Sequence, residues 1–100
     1  MRSEGKAIKA IFNGEVIAES EETIYLEGNH YFPPESVDER YLRPGAMKSL
    51  CFWKGLASYY TIEAGGRTGR HAAWTYCHPP PWVRKIRNHV AFWDGVEVSG

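Results

Sequence analysis

Apolar and polar positions alternate in short runs along most of this chain, with turn residues breaking the runs at close intervals. That rhythm predicts a mainly β domain built from antiparallel hairpins. Residues 7–12 and 15–19 read as two strands joined by Asn13-Gly14, a pair that accepts the positive φ angles of a two-residue hairpin. Residues 23–26 and 30–32 continue the pattern, with Gly28-Asn29 as the turn and Pro33-Pro34 as the stop, since proline donates no ladder hydrogen bond. One helical turn is expected over 36–40 and a loop over 44–49. The next strands fall at 50–53, 56–62 and 71–76. In the second of these, Leu56, Ser58, Tyr60 and Ile62 alternate with Ala57, Tyr59 and Thr61. Bulk on both faces marks a central strand or one lying beneath another layer.

One short helix is predicted over 81–88. Pro81 suits a first-turn position whose N–H would go unbonded anyway, Trp82, Val83, Ile86 and Val90 follow near-helical spacing, and Asn88 tolerates a left-handed cap. Residues 89–93 and 96–98 are closing strands about Asp94-Gly95. Without repeats, low-complexity tracts or linkers, residues 1–100 are expected to form a single domain with residues 1–6 frayed.

Composition narrows the function. A 43% apolar and 14% aromatic chain of 100 residues has the material for one core without metal or disulfide staples. Twelve basic residues balance twelve acidic ones, so no net field draws in a polyanion or a lipid surface, and neither nucleic acid nor membrane is an expected partner. No apolar run reaches membrane-span length and no apolar leader opens the chain, so the expected location is the cytoplasm. Cys51 and Cys77 are then expected as free thiols.

Two motifs stand out: Cys51-Phe52-Trp53-Lys54-Gly55 and Ala72-Ala73-Trp74-Thr75-Tyr76. Each sets indole, small and polar groups side by side. With Asn13-Gly14 and Tyr31-Phe32-Pro33 before them and Val90-Ala91-Phe92-Trp93 after them, they make the chain resemble domain-of-unknown-function family 427 over nearly its whole length. The resemblance implies a small bacterial β-rich domain with kinship to the β-tent folds, and no established activity. A nucleotidyltransferase-like label attached to some of that family has no counterpart here: the chain has neither a Gly-Ser nucleotide loop nor a spaced carboxylate pair for Mg²⁺. The chain also departs from the family pattern beside both signature motifs. Gly45-Ala46-Met47-Lys48-Ser49 replaces a polar stretch, Phe52 a proline, His71 an acidic residue, and Cys77-His78 a proline–acid pair.

Several chemistries compete for these residues. Cys51, Cys77, His71 and His78 supply zinc-type donors, but no close Cys–Cys or His–His spacing joins them, so no metal is expected. Cys51 as a nucleophile activated by His71 lacks a third group in fixed spacing to orient the base. Trp53, Trp74, Trp82 and Trp93 are candidate pocket walls. At least two of them are expected to be purely structural, with Trp53 and Trp74 the better pocket candidates. The run Arg84-Lys85-Ile86-Arg87 reads as a solvated face, and Gly65–Arg70 as a hairpin loop rather than a phosphate cradle.

The leading expectation is a small-molecule-binding domain without cofactor. Its pocket lies between the 45–49 loop and the strands around Trp53 and Trp74, with Lys48, Ser49, Cys51 and Tyr60 as further ligand contacts. The alternative is a cofactor-independent isomerase, cyclase or lyase acting on a small substrate. There His71 or His78 serves as general acid or base, Lys54 stabilises an oxyanion, and a tyrosine such as Tyr76 donates a hydrogen bond. A third reading is an interaction module that pairs strands across an exposed edge. Monomer and homodimer both stay open.

Overall fold

The computed structural model describes residues 7–93 and 95–100; the frayed start expected at 1–6 and the Asp94 half of the Asp94-Gly95 turn lie outside them. The chain runs β1 (Ile8–Phe12), β2 (Glu15–Ser20), β3 (Ile24–Leu26), β4 (Asn29–Tyr31), β5 (Leu42–Cys51), β6 (Gly55–Ala64), β7 (Arg67–Tyr76), β8 (Val90–Phe92) and β9 (Glu97–Ser99). All pairing between these strands is antiparallel, in a three-stranded sheet β2-β1-β9, a hairpin β3-β4 and a four-stranded sheet β5-β6-β7-β8. The mainly β architecture of antiparallel hairpins follows from the alternation in the sequence.

Asn13 and Gly14 take φ of 52° and 80° and join Phe12 to Glu15 in register, as the Asn-Gly signal requires. β6 lies between β5 and β7, the central position its two bulky faces predicted. The hairpin β3-β4 turns at Glu27-Gly28, one residue before the expected Gly28-Asn29, because Leu26 and Asn29 pair across it.

Four other expectations change. The loop predicted over 44–49 is instead part of β5. Pro44 pairs with Tyr60 and Lys48 with Ser58, and Gly45, Ala46 and Met47 bulge out between them opposite Tyr59. Proline and glycine marked an irregularity inside a strand, not a break in it. The strand predicted to reach Trp53 stops at Cys51, and Phe52, Trp53 and Lys54 form the hairpin turn into β6. The helix predicted over 81–88 is a 3-10 segment, Pro81–Ile86, interrupted at Val83 (φ −129°). Its Val83 N–H donates to Pro80 O at 3.0 Å and Arg87 N–H to Arg84 O at 3.0 Å. Val83 and Ile86, three residues apart, are the positions it buries, as a three-residue turn demands. Asn88 follows it in the left-handed region (φ 61°). Two further 3-10 turns, Pro34–Ser36 and Glu39–Tyr41, replace the single turn expected over 36–40.

Alternation on the four-stranded sheet divides the interior in two. Tyr60, Ile62, Ala73, Val90 and Phe92 face a larger core completed by Phe12 and Ile17 of the first sheet and by Phe32. Ala57, Tyr59, Trp74, Tyr76 and Ala91 face the other way, against Tyr31, Val83 and Ile86. Phe32 locks the β3-β4 hairpin to β8 through paired backbone bonds with Val90 at 2.8 and 2.9 Å. Its neighbour Tyr31 therefore enters the second, smaller cluster. This second cluster is only partly covered, and several of the candidate site residues gather there.

Candidate functional site

Lys54 is the unusual residue of that cluster. It closes the tight turn after β5, where Cys51 pairs with Gly55. Gly55 holds φ of 99°, and a Cβ there would sit 3.3 Å from the His78 carbonyl oxygen. Only glycine fits both constraints, and the turn it permits sends Lys54 inward until the residue is 8% exposed. A buried ammonium must be paired. Lys54 Nζ donates to Glu27 Oε1 in an ion pair supplied by the β3-β4 turn, and it lies 5.2 Å from the Trp53 ring centroid and 5.6 Å from that of Tyr76.

Around this ammonium opens a cleft of about 230 Å³ lined by Asn29, Tyr31, Lys54, Tyr59, Trp74, Tyr76 and Trp93. Its rings brace one another. The Trp74 indole stands edge-on to Tyr31 (6.3 Å, 87°) and to Trp93 (6.3 Å, 83°), and its Nε1–H reaches the Tyr31 hydroxyl at 3.4 Å. Trp93 is itself fixed by Nε1–H donation to the His71 carbonyl at 2.8 Å.

The electrostatics keep the protons in place. Burial raises the Tyr31 phenol above its ordinary range, against a smaller opposing effect of the Trp74 hydrogen bond and Lys54. Burial pushes Tyr76 up to about 12, again against Lys54. For Lys54, burial disfavours the ammonium, but the Glu27 hydrogen bond, the charges that Tyr31 and Tyr76 carry when ionised and the Glu27 carboxylate together outweigh it, and the net shift is upward. At neutral pH the cleft therefore presents an ammonium and neutral phenols, all hydrogen-bond donors.

Of the residues singled out from sequence, Lys54, Tyr76, Trp74 and Trp93 line this cleft, and the Trp53 ring flanks the Lys54 ammonium. Cys51 packs on the same cluster. Ser49 bonds the Tyr59 hydroxyl at 3.1 Å at the edge of this face. His71 sits beside Tyr59 (ring centroids 6.3 Å apart) at a left-handed φ of 56°, in the irregularity where Tyr60 pairs with Ala73 but Ile62 with Gly69. It is not among the lining residues. His78 lines a separate groove with Pro79, Pro81, Arg84 and Arg87. Lys48 donates to Ser58 Oγ at 3.0 Å and, with Tyr60, belongs to the opposite face of the sheet.

None of the four tryptophans is fully buried; Trp93 is 52% and Trp82 68% exposed, while Tyr31, Phe32, Ile17, Ile62 and Ile86 fill the interior. Glu27, Asn29 and Tyr31 escaped the sequence reading. Tyr31 lies in the Tyr31-Phe32-Pro33 motif and carried a signal; Glu27 looked like any turn acid. Cys51 and Cys77 are free thiols on opposite faces of the sheet. Among the described residues no three His, Cys, Asp or Glu side chains gather as a metal site, and no helix is long and apolar enough to cross a membrane.

No curated protein matches this chain. A family model does: the one described as Domain of unknown function (DUF427), named NTP_transf_9, matches residues 1–99. The signature motifs of that resemblance supply Lys54, Trp74 and Tyr76 to one cleft. The chain belongs to the DUF427 family.

Proposed function

We propose that this domain binds a small planar molecule through carbonyl or carboxylate oxygens in the Lys54 cleft. The observation that carries the reading is the near-buried Lys54 ammonium, held by Glu27 and flanked by aromatic rings at the floor of an open cleft. Glu27 is its one hydrogen-bonded acceptor among the described residues, so further N–H bonds are free to meet a ligand oxygen. The phenols of Tyr31, Tyr59 and Tyr76 and the Asn29 amide add donors around it. Aromatic walls with a few fixed polar groups suit a small organic ligand. At about 230 Å³ the cleft falls below the roughly 300–1,000 Å³ of drug-sized sites, so a ligand of about one ring fits. An aromatic cage also favours cations, but this cage already holds one in Lys54, and a second would be repelled.

The histidine acid–base reading needs His71 or His78 within hydrogen-bond reach of the substrate. His71 and His78 both lie outside the lining, and binding is the function the geometry favours. Tryptophan fluorescence tests it, because Trp53, Trp74 and Trp93 all border the site. Benzoate and benzamide are expected to perturb the emission saturably, and Trp74→Ala to abolish the response in a protein that stays folded. Equal responses in the wild type and Trp74→Ala would refute the proposal.

A further inference from the structure

The larger cavity lies across the sheet from Lys54. It measures about 440 Å³ and is lined by the apolar Val37, Leu42 and Val90, by Glu39, Tyr60, Thr75 and Cys77, and by Pro34, Pro44 and Asn88. That volume is within the roughly 300–1,000 Å³ range of small-molecule sites. Strand alternation builds it: Tyr60 points away from the Tyr59 side, and Thr75 and Cys77 away from the Trp74 and Tyr76 side. The two 3-10 turns and the start of β5 roof it.

Its charge is the reverse of the Lys54 cleft. Glu39 is the one charged side chain in the lining, and among the described residues its carboxylate has no ion-pair partner. The nearby cations are committed elsewhere. Arg40 is held on Asp38 at 2.6 Å, and Arg43 pairs with Glu63 at 3.4 Å and caps the carbonyls of Arg40 and Leu42. Lys48 is bonded to Ser58, and Arg87 lines the separate His78 groove. The Thr75 hydroxyl already donates to the His89 carbonyl at 2.7 Å, so it offers the cavity an acceptor oxygen. Burial first, then the charges of Cys77 and Glu39, push the Tyr60 phenol above its ordinary range.

We infer that this cavity is a second ligand site, selective for a small organic ammonium whose apolar body packs on Val37, Leu42 and Val90 while its charge meets Glu39 and the face of Tyr60. The carboxylate supplies the ion pair and the ring a cation–π surface. The aliphatic and proline walls take up the body by apolar burial.

Calorimetric titration with phenethylammonium, its neutral analogue 2-phenylethanol and the anion 3-phenylpropionate tests the charge selectivity. Binding is expected for the ammonium and much weaker binding for the other two. Glu39→Gln, an exposed change that leaves the fold intact, is expected to weaken the ammonium at least about tenfold, the loss of one charge-assisted contact. Location is read separately by iodoacetamide labelling: the ammonium should slow alkylation of Cys77 and leave Cys51 unaffected. Equal affinity for the alcohol, unchanged affinity in Glu39→Gln, no protection of Cys77, or no ammonium binding at millimolar concentration would each overturn the assignment.

Discussion

One four-stranded sheet carries two cavities of opposite character. On the Trp74 and Tyr76 side, an ammonium and neutral phenols present donors. On the Tyr60 and Cys77 side, a carboxylate and a threonine oxygen present acceptors. Adjacent residues are split between them: Tyr59 from Tyr60, Trp74 from Thr75, Tyr76 from Cys77. A period of two is all that separates the faces, so register decides the chemistry of each. The comparison teaches that burial acts on charge according to its partners. Lys54 is deep and its charge is kept by Glu27, whereas Glu39 is exposed and left for a ligand.

The change expected to matter most breaks both faces together. Phe32 is fully buried and ties the β3-β4 hairpin to β8, so Phe32→Ala should cost about 3–5 kcal/mol, measured by urea unfolding, and loosen both sites. Lys54→Met sharpens the contrast. It should weaken benzoate at least about tenfold by fluorescence titration while phenethylammonium binding, read by calorimetry, stays unchanged. Its fold should survive because the abandoned partner Glu27 is 45% exposed.

Gly55→Ala attacks the turn that aims Lys54 inward. At φ of 99° and with the His78 carbonyl oxygen in the way, the added methyl should cost about 1–3 kcal/mol of backbone strain, seen as a lowered melting temperature. The benzoate site should lose more than the ammonium site. The smallest effect concerns pH. Tyr76 has its ordinary value of 10.0 raised to about 12 by burial, so folding favours the neutral phenol. Its contribution is complete below pH 10 and is lost as pH rises toward 12. Tyr76→Phe should flatten that alkaline fall in denaturation profiles and leave the neutral range unchanged.

Much of the scaffold was legible because it obeys local rules. Asn13-Gly14 had to be a tight hairpin on φ alone, and β6 had to be central because both its faces carry bulk. Part of the site was legible for the same reason: Trp74 and Tyr76 share a face by alternation, and Lys54 lies one turn residue from the strand beside them. The missing half came from elsewhere in the chain. Glu27 and Tyr31 reach Lys54 and Trp74 only after the β3-β4 hairpin docks on β8, a long-range contact with no local signature. Alternation set Tyr59 and Tyr60 on opposite faces, but which face meets Trp74 was fixed only by the register between β6 and β7. The 45–47 bulge was hidden because proline and glycine mark bulges and loops alike.

The most direct test of the account is an amide NMR titration of the labelled protein with benzoate. The account predicts saturable shifts concentrated at Tyr31, Lys54, Trp74 and Tyr76, with Tyr60, Thr75 and Val90 nearly still. Shifts centred on the Tyr60 side, or no saturable shift at any residue, would contradict it.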